Sequence, residues 1–316
     1  MATVKKAADK PRKAAVKPIK VAIVGLDTSH SVAMPRLMQD PKSEFRVEGM
    51  KATRCLRFET PFQGKKGLDE RQAILEGIGV KVTEDFDEAV GDCDAIMIEI
   101  NDPARHLEYF EKCAELGKPI FLDKPYADTL ENARKIADIA EAKGVRFFTS
   151  SSLRFDVDLQ ATLAQVKKDK MPIETACAWG PVGHAPAGSS LVWYGVHACE
   201  ILQQIMGCGA ISVSASEDRK GYVCHVAYAD GRRGIVELTY GSYRYGCLLR
   251  DDKKNEVMCQ VTGRIPFYKM LLDKIVPFFR GGAQPVPQKD CFESMALLAA
   301  AEKSVATGRP QPVYTR

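Results

Sequence analysis

The chain has 316 residues, of which 45% are hydrophobic and 27% charged. That is enough apolar material for two domains, and no run approaches the roughly 18 apolar residues of a membrane span. The net charge of +4 is unevenly spread: residues 1–20 hold seven Lys or Arg against one Asp, so the remainder is about −2 and does not read as a basic nucleic-acid binder.

The tail Lys5-Lys6-Ala7-Ala8-Asp9-Lys10-Pro11-Arg12-Lys13 is too polar to bury anything, and residues 1–19 are expected to be a disordered basic tail. No apolar leader of a secretory signal is read there. Ten cysteines are scattered without a Cys-x-x-Cys pair. Cys93, Cys113, Cys199 and Cys259 lie in apolar or mixed segments and read as reduced core thiols of a cytoplasmic protein. No cluster of Cys and His at zinc-binding spacing is found, so no metal site is read.

The body begins with Lys20-Val21-Ala22-Ile23-Val24-Gly25, an apolar run ending in Gly that reads as a strand buried on both faces. A helix is expected over 31–38, a second strand over 45–50, an irregular stretch over 54–66 and a helix over 68–76. Residues 94–98 read as another buried strand. A helix over 103–116 has Pro103 in its first turn and Gly117 as its stop. A strand over 119–122, a helix over 129–143 and a strand over 145–149 follow. Strands alternating with helices of this length mean βαβ units and a parallel sheet, so residues 20–150 are read as a dinucleotide-binding domain.

After residue 150 the rhythm changes. Helical segments at 157–168 and 195–206 bracket a strand near 173–179. Strand-like runs follow at 210–216, 222–228, 234–240, 245–249 and 257–262, with Asp230-Gly231 as a hairpin turn. Helices over 267–279 and 290–306 close the chain. Residues 151–316 read as an α+β domain with one open, largely antiparallel sheet, for substrate binding and oligomerisation.

Gly25-Leu26-Asp27-Thr28-Ser29-His30 stands where a strand-to-helix turn offers free N–H groups to a pyrophosphate. Only Gly25 of the Gly-x-Gly-x-x-Gly fingerprint survives, with Asp27 at the second glycine and His30 at the third. Thr28 and Ser29 can donate hydrogen bonds in compensation, or with Asp27 can simply cap the helix. Lys51 and Arg54, read as following the second strand, suit a 2′-phosphate on the adenosine ribose, or are solvated surface charges. Asn101 and His106 are placed on the strand-end cleft after 94–98. Glu99, inside an apolar run, needs a partner, for which Lys124 or His30 are candidates.

Phe121-Leu122-Asp123-Lys124-Pro125 sets a lysine at the C-terminal end of a buried strand, where α/β folds bind ligands, with Asp123 beside it. In Trp193-Tyr194-Gly195-Val196-His197 the histidine is read on the first turn of an apolar helix. Tyr194 is a second proton donor and Trp193 a stacking surface for a sugar ring.

These residues, with Asp102–His106, Ser151-Ser152-Leu153-Arg154-Phe155 and the Asp230-Gly231 hairpin, resemble the Gfo/Idh/MocA family of glucose-fructose oxidoreductase and inositol dehydrogenase types, over about 19–310. The resemblance implies a Rossmann domain, a C-terminal α/β domain, bound NAD or NADP, a sugar, cyclitol or related polyol substrate, and a homodimer or homotetramer formed through the C-terminal sheet. It implies that Lys124 relays the hydroxyl proton and that His197 acts as acid or base. The pattern departs at Trp193, where the family often has Asp, and Tyr194 or Glu99 is a candidate substitute. An oxidoreductase follows. The alternatives are an NAD-dependent lyase, glycosidase or epimerase that recycles its hydride, and a non-catalytic nucleotide or sugar sensor on the same fold.

Overall fold

A computed structural model describes residues 17–314. The basic segment 1–16 lies outside the described residues. The first sheet and its helices begin with β1 (Ile19–Val24), α1 (His30–Gln39), β2 (Met50–Leu56), α2 (Lys65–Gly77), β3 (Lys81–Thr83), α3 (Phe86–Val90), β4 (Ala95–Ile98) and α4 (His106–Ala114), the last entered through a 3₁₀ turn at Pro103–Arg105; β3 and α3 are not among the elements expected from the sequence. They are completed by β5 (Ile120–Leu122), α5 (Leu130–Lys143) and β6 (Phe147–Thr149). All six strands are parallel, in the order β3-β2-β1-β4-β5-β6. The order reverses between β1 and β4, so the ligand crevice of such a sheet opens at their C-terminal ends.

The helices start and stop where local chemistry dictates. Thr129 accepts from the Asn132 N–H at the start of α5, and Gly144, at φ 62°, ends it in the left-handed region that a residue with a Cβ avoids. β1, β4 and β5 are almost wholly buried because helices cover both sheet faces.

The second sheet has seven strands: β7 (Thr175–Val182), β8 (Ala210–Asp218), β9 (Gly221–Tyr228), β10 (Arg233–Tyr240), β11 (Tyr245–Arg250), β12 (Glu256–Val261) and β13 (Gln311–Pro312). All its pairings are antiparallel except β7 with β10, which run parallel, so the sheet is mixed. α7 (Ser190–Met206) and α9 (Gln288–Thr307) cover one face, and α6 (Val157–Lys168) packs beside β12. α8 (Phe267–Phe279), from the second half of the chain, instead lays Leu271, Leu272, Ile275 and Phe278 into the core beneath β1, with Val21 and Ile23.

Two local expectations are corrected. The second strand is not 45–50 but β2, so Lys51 and Arg54 lie inside a strand and not after it. Gly49, at φ 99°, interrupts the segment expected to be that strand, and β2 starts after it. α7 begins at Ser190, not 195, with the Ser189 side chain accepting from the Val192 N–H. His197 therefore sits two turns into the helix, not on its first turn. Gly195 reads as a boundary but is packed mid-helix, where an added Cβ would come 2.8 Å from the Leu238 side chain. Among the described residues no helix is long and apolar enough to cross a membrane.

Candidate active site

Where the β1 and β4 ends meet the second sheet, a cleft of about 310 Å³ is lined by Ser29, His30, Arg71, Asn101, Lys124, Trp193, Tyr194, His197 and other residues from both halves of the chain. The β1–α1 turn forms one wall. Gly25 has φ 107°, and an added Cβ would lie 2.5 Å from the Glu99 carbonyl oxygen, so only glycine lets this turn abut the end of β4.

Asp27 is buried. Its carboxylate accepts from the Asn101 N–H at 2.7 Å, the Asp102 N–H at 3.2 Å and the Thr60 hydroxyl at 2.8 Å. Burial pushes its pKa up, and those three donors oppose the shift. The residue at the second-glycine position thus ties three loops together, with its carboxylate taken up by protein donors. Thr28 is also buried, and its hydroxyl accepts from the His30 N–H at 3.2 Å. Ser29 is exposed at the N-cap without a side-chain capping bond and lines the cleft, where its side chain meets the Tyr268 hydroxyl.

Arg71, on α2, was not singled out by the sequence. It reaches over the turn, donates to the Leu26 carbonyl at 2.9 Å and lines the cleft. Its only signal was a cation on a polar helix face, which is common. Other positions fall outside the cleft lining. Lys51 is exposed on β2, and Arg54 donates to the Glu88 carbonyl. The residue that follows β2, at the ribose position, is Arg57, paired with Asp69 at 2.9 Å. His106 is buried with Nε2 on the Ile100 carbonyl at 2.8 Å, and does not reach the cleft. Asn101 does line it, accepting from the Trp193 indole N–H at 2.9 Å across the two halves of the chain.

Asp123 is buried behind the lining. One oxygen lies 2.6 Å from His30 Nδ1 and the other accepts from the Lys124 N–H at 2.9 Å. Burial disfavours its charge, but His30 and Lys124 outweigh that and hold its pKa below the usual carboxylate range. Glu99 has weaker support: Oε2 is 4.0 Å from His30 Nδ1, the Lys124 charge acts on it without a hydrogen bond, and neither oxygen has a hydrogen-bond partner among the described residues. Burial, and then the Asp123 charge, push its pKa well up.

Lys124, Tyr194 and His197 come together on the cleft wall. Lys124 Nζ lies 5.9 Å from the Tyr194 ring centre, and the Tyr194 and His197 ring centres are 5.1 Å apart. Burial lowers the Lys124 pKa against the pull of Asp123 and Glu99. Burial, then the Lys124 charge, drive the His197 pKa well below its ordinary value, so the imidazole is neutral near pH 7. His197 Nδ1 is 2.7 Å from the Ser151 hydroxyl. Glu200, one turn on, accepts from the Ser151 N–H at 2.9 Å, the Ser150 hydroxyl at 3.1 Å and Arg154 Nε at 2.9 Å. This buried network locks the crossover segment onto α7 and fixes the imidazole ring. An acid within the apolar run of α7 was its readable trace.

Residues 19–151 match the profile of the Gfo/Idh/MocA family, described as "Oxidoreductase family, NAD-binding Rossmann fold". The chain is 31% identical over 78 residues to an uncharacterized oxidoreductase, YhhX, of Escherichia coli, an alignment covering 24% of this chain and 23% of that protein. A similar stretch of Schizosaccharomyces pombe oxidoreductase C115.03 is 25% identical over 142 residues, covering 45% of this chain and 36% of that protein. The matches therefore span only about a quarter to a third of these curated relatives. The structure of GenD2 from gentamicin A biosynthesis, in complex with NAD, superposes with a TM-score of 0.79 at 15% identity, covering 97% of this chain and 100% of that one. Myo-inositol 2-dehydrogenase from Lactobacillus plantarum gives 0.77 at 14%, covering 94% and 100%. These likenesses to solved structures establish the fold, and residues 19–151 are similar to the NAD-binding Rossmann segment of the Gfo/Idh/MocA oxidoreductases.

Proposed function

We propose, from the match of residues 19–151 to the Gfo/Idh/MocA oxidoreductase profile, that the chain is an NAD- or NADP-dependent oxidoreductase acting on a sugar, cyclitol or related polyol. The observation that carries this reading is the convergence of Lys124, Tyr194 and His197 on the cleft that begins at the N-terminus of α1. The residues present fit the dinucleotide. Asp27 is spent on three protein donors, Ser29 stands at the helix N-terminus, and Arg71 adds a cation there.

When bound, the nicotinamide supplies the acceptor for the hydride leaving the carbinol carbon. The protein must take the hydroxyl proton as that C–H bond breaks. His197, neutral near pH 7, and Lys124, whose pKa burial lowers, are the groups placed to handle that proton, with the Tyr194 hydroxyl as a second hydrogen-bonding group for the same oxygen. Trp193, fixed by Asn101 and beside Phe62 at 5.4 Å between ring centres, offers a flat apolar wall for a sugar ring. The absorbance and mass of nucleotide released from the purified full-length chain test the reading. NAD or NADP at near-stoichiometric yield, or micromolar binding on titration, supports it; no binding of either contradicts it.

Arg71→Ala is expected to weaken nucleotide binding by roughly 10-fold, the loss of one charge-assisted contact of about 1.4 kcal/mol. Calorimetric titration with NAD and NADP measures this, and an unchanged Kd would remove Arg71 from the phosphate site.

The outer face of the second sheet supports a homo-oligomer. Met258, Leu248, Cys177 and Ile235 are in register across β12, β11, β7 and β10. Met258 is 74% and Val223 49% exposed. Val226, Val236, Leu238 and Leu249, by contrast, are buried against the helices. A second copy of the same face is the occupant that would bury this row. Light scattering should give a dimer or tetramer at micromolar concentration, and Ile235→Glu should shift it to monomer; a monomeric wild-type chain would contradict the proposal.

A further inference from the structure

We propose that His30, Glu99 and Asp123 form a site for one divalent transition-metal ion at the base of the cleft. The three residues come from three neighbouring elements at the switch point of the sheet: the start of α1, the residue after β4 and the residue after β5. One ligand atom from each lies within 4.8 Å of the others. That convergence follows from the topology and is invisible to a search for clustered Cys and His, because the residues are far apart in the chain.

Glu99 is the observation that points to a ligand. Its side chain is 0% exposed, lies beside His30 and Asp123, and leaves both carboxyl oxygens without a hydrogen-bond partner. A buried carboxyl in that state costs free energy whether it is charged or neutral. A dication bound between two carboxylates and an imidazole would supply the missing partner and cancel the two negative charges. The donor set of one nitrogen and carboxylate oxygens suits Mn²⁺, Fe²⁺ or Zn²⁺ better than Ca²⁺ or Mg²⁺, which prefer all-oxygen shells. His30 Nδ1 and the Asp123 oxygen are 2.6 Å apart in a hydrogen bond. They need only separate to about 3 Å to share an ion at metal–ligand distances of about 2.1 Å, with the proton released. His30 lines the cleft, so positions not filled by protein face a ligand there; adjacent oxygens of a vicinal diol or hydroxy ketone are the chemistry that would chelate.

The test uses the full-length chain, freed of metal with a chelator and kept free of nucleotide, so that its outcome is independent of the oxidoreductase reading. Added Mn²⁺ is followed by loss of the free-ion paramagnetic resonance signal, with Zn²⁺ as competitor. The proposal expects about one Mn²⁺ per chain and at least a roughly tenfold loss of affinity in the near-isosteric variant Glu99→Gln. His30→Ala should lose binding likewise, and if that variant does not fold, Glu99→Gln decides. An infrared carbonyl band of a neutral carboxyl, absent in Glu99→Gln, should disappear from the wild-type chain as metal binds. Absence of Mn²⁺ and Zn²⁺ binding at millimolar concentration would overturn the site. So would equal affinity in the Glu99→Gln chain, or a carboxyl band that persists with metal present.

Discussion

Replacing Lys124 by Met is expected to lower turnover by roughly 10²–10⁴-fold, the contribution of a positioned general acid–base group. The substitution keeps the unbranched apolar stem in its buried slot and removes only the nitrogen, which makes no side-chain hydrogen bond among the described residues and sits on the cleft wall 5.9 Å from the Tyr194 ring centre. Packing against β5 should survive, and nucleotide affinity should change little, because Lys124 stands at the reacting end of the cleft while Ser29 and Arg71 stand at the helix end. The measurement is steady-state turnover on the polyol found by screening, alongside nucleotide titration of the same variant. Full activity in Lys124→Met would remove the lysine from the chemistry. A parallel loss of nucleotide binding would make it a binding group.

The second large effect is on stability. Arg154 and Glu200 form an ion pair at 2.9 Å with both side chains about 5% exposed. Arg154 also donates to the Gln203 side chain at 2.8 Å, and Glu200 holds the Ser151 N–H. Arg154→Met leaves Glu200 charged and uncompensated in the interior, which is expected to cost about 3–5 kcal/mol. Combining it with Glu200→Leu should cost less than the sum of the single changes, because the second change removes the stranded charge; the Ser151 N–H then loses its acceptor, so recovery is incomplete. Urea denaturation of the two single variants and the double variant gives the coupling. A loss below about 1 kcal/mol in Arg154→Met would show that the pair is not what holds the crossover to α7.

The fold was legible where burial on both faces leaves a continuous apolar run. Val21–Val24, Ala95–Ile98 and Ile120–Leu122 show in the sequence for that reason, and their alternation with helices implies the parallel sheet. β2 is hidden in the sequence because exposed Lys51 and half-buried Thr53 and Arg54 interrupt its buried residues Met50, Ala52, Cys55 and Leu56, so no continuous apolar run marks it. The start of α7 was hidden by Gly195, whose missing side chain serves contact with Leu238 and not a helix boundary.

The site was legible as residue types at strand ends, and Lys124, Tyr194, His197, Ser29, His30 and Asn101 do line one cleft. Orientation was not legible. The Asp27 carboxylate is taken up by donors from loops distant in sequence, and His106 turns inward to satisfy the Ile100 carbonyl. Arg71 reaches the site from an exposed helix that no motif marks.

The central claim is that this cleft moves hydride between a nicotinamide and a polyol carbon with Lys124 and His197 handling the proton. A single-turnover assay tests it most directly: protein in excess over NAD or NADP, mixed with each member of a panel of sugars and cyclitols, and read by the near-ultraviolet absorbance and fluorescence of reduced nicotinamide. The account predicts reduced nicotinamide with at least one polyol in the wild-type chain and a strongly slowed signal in Lys124→Met. Nucleotide that binds tightly yet is never reduced by any member of the panel, with no product formed from the polyol, would contradict it and leave a nucleotide sensor on this fold.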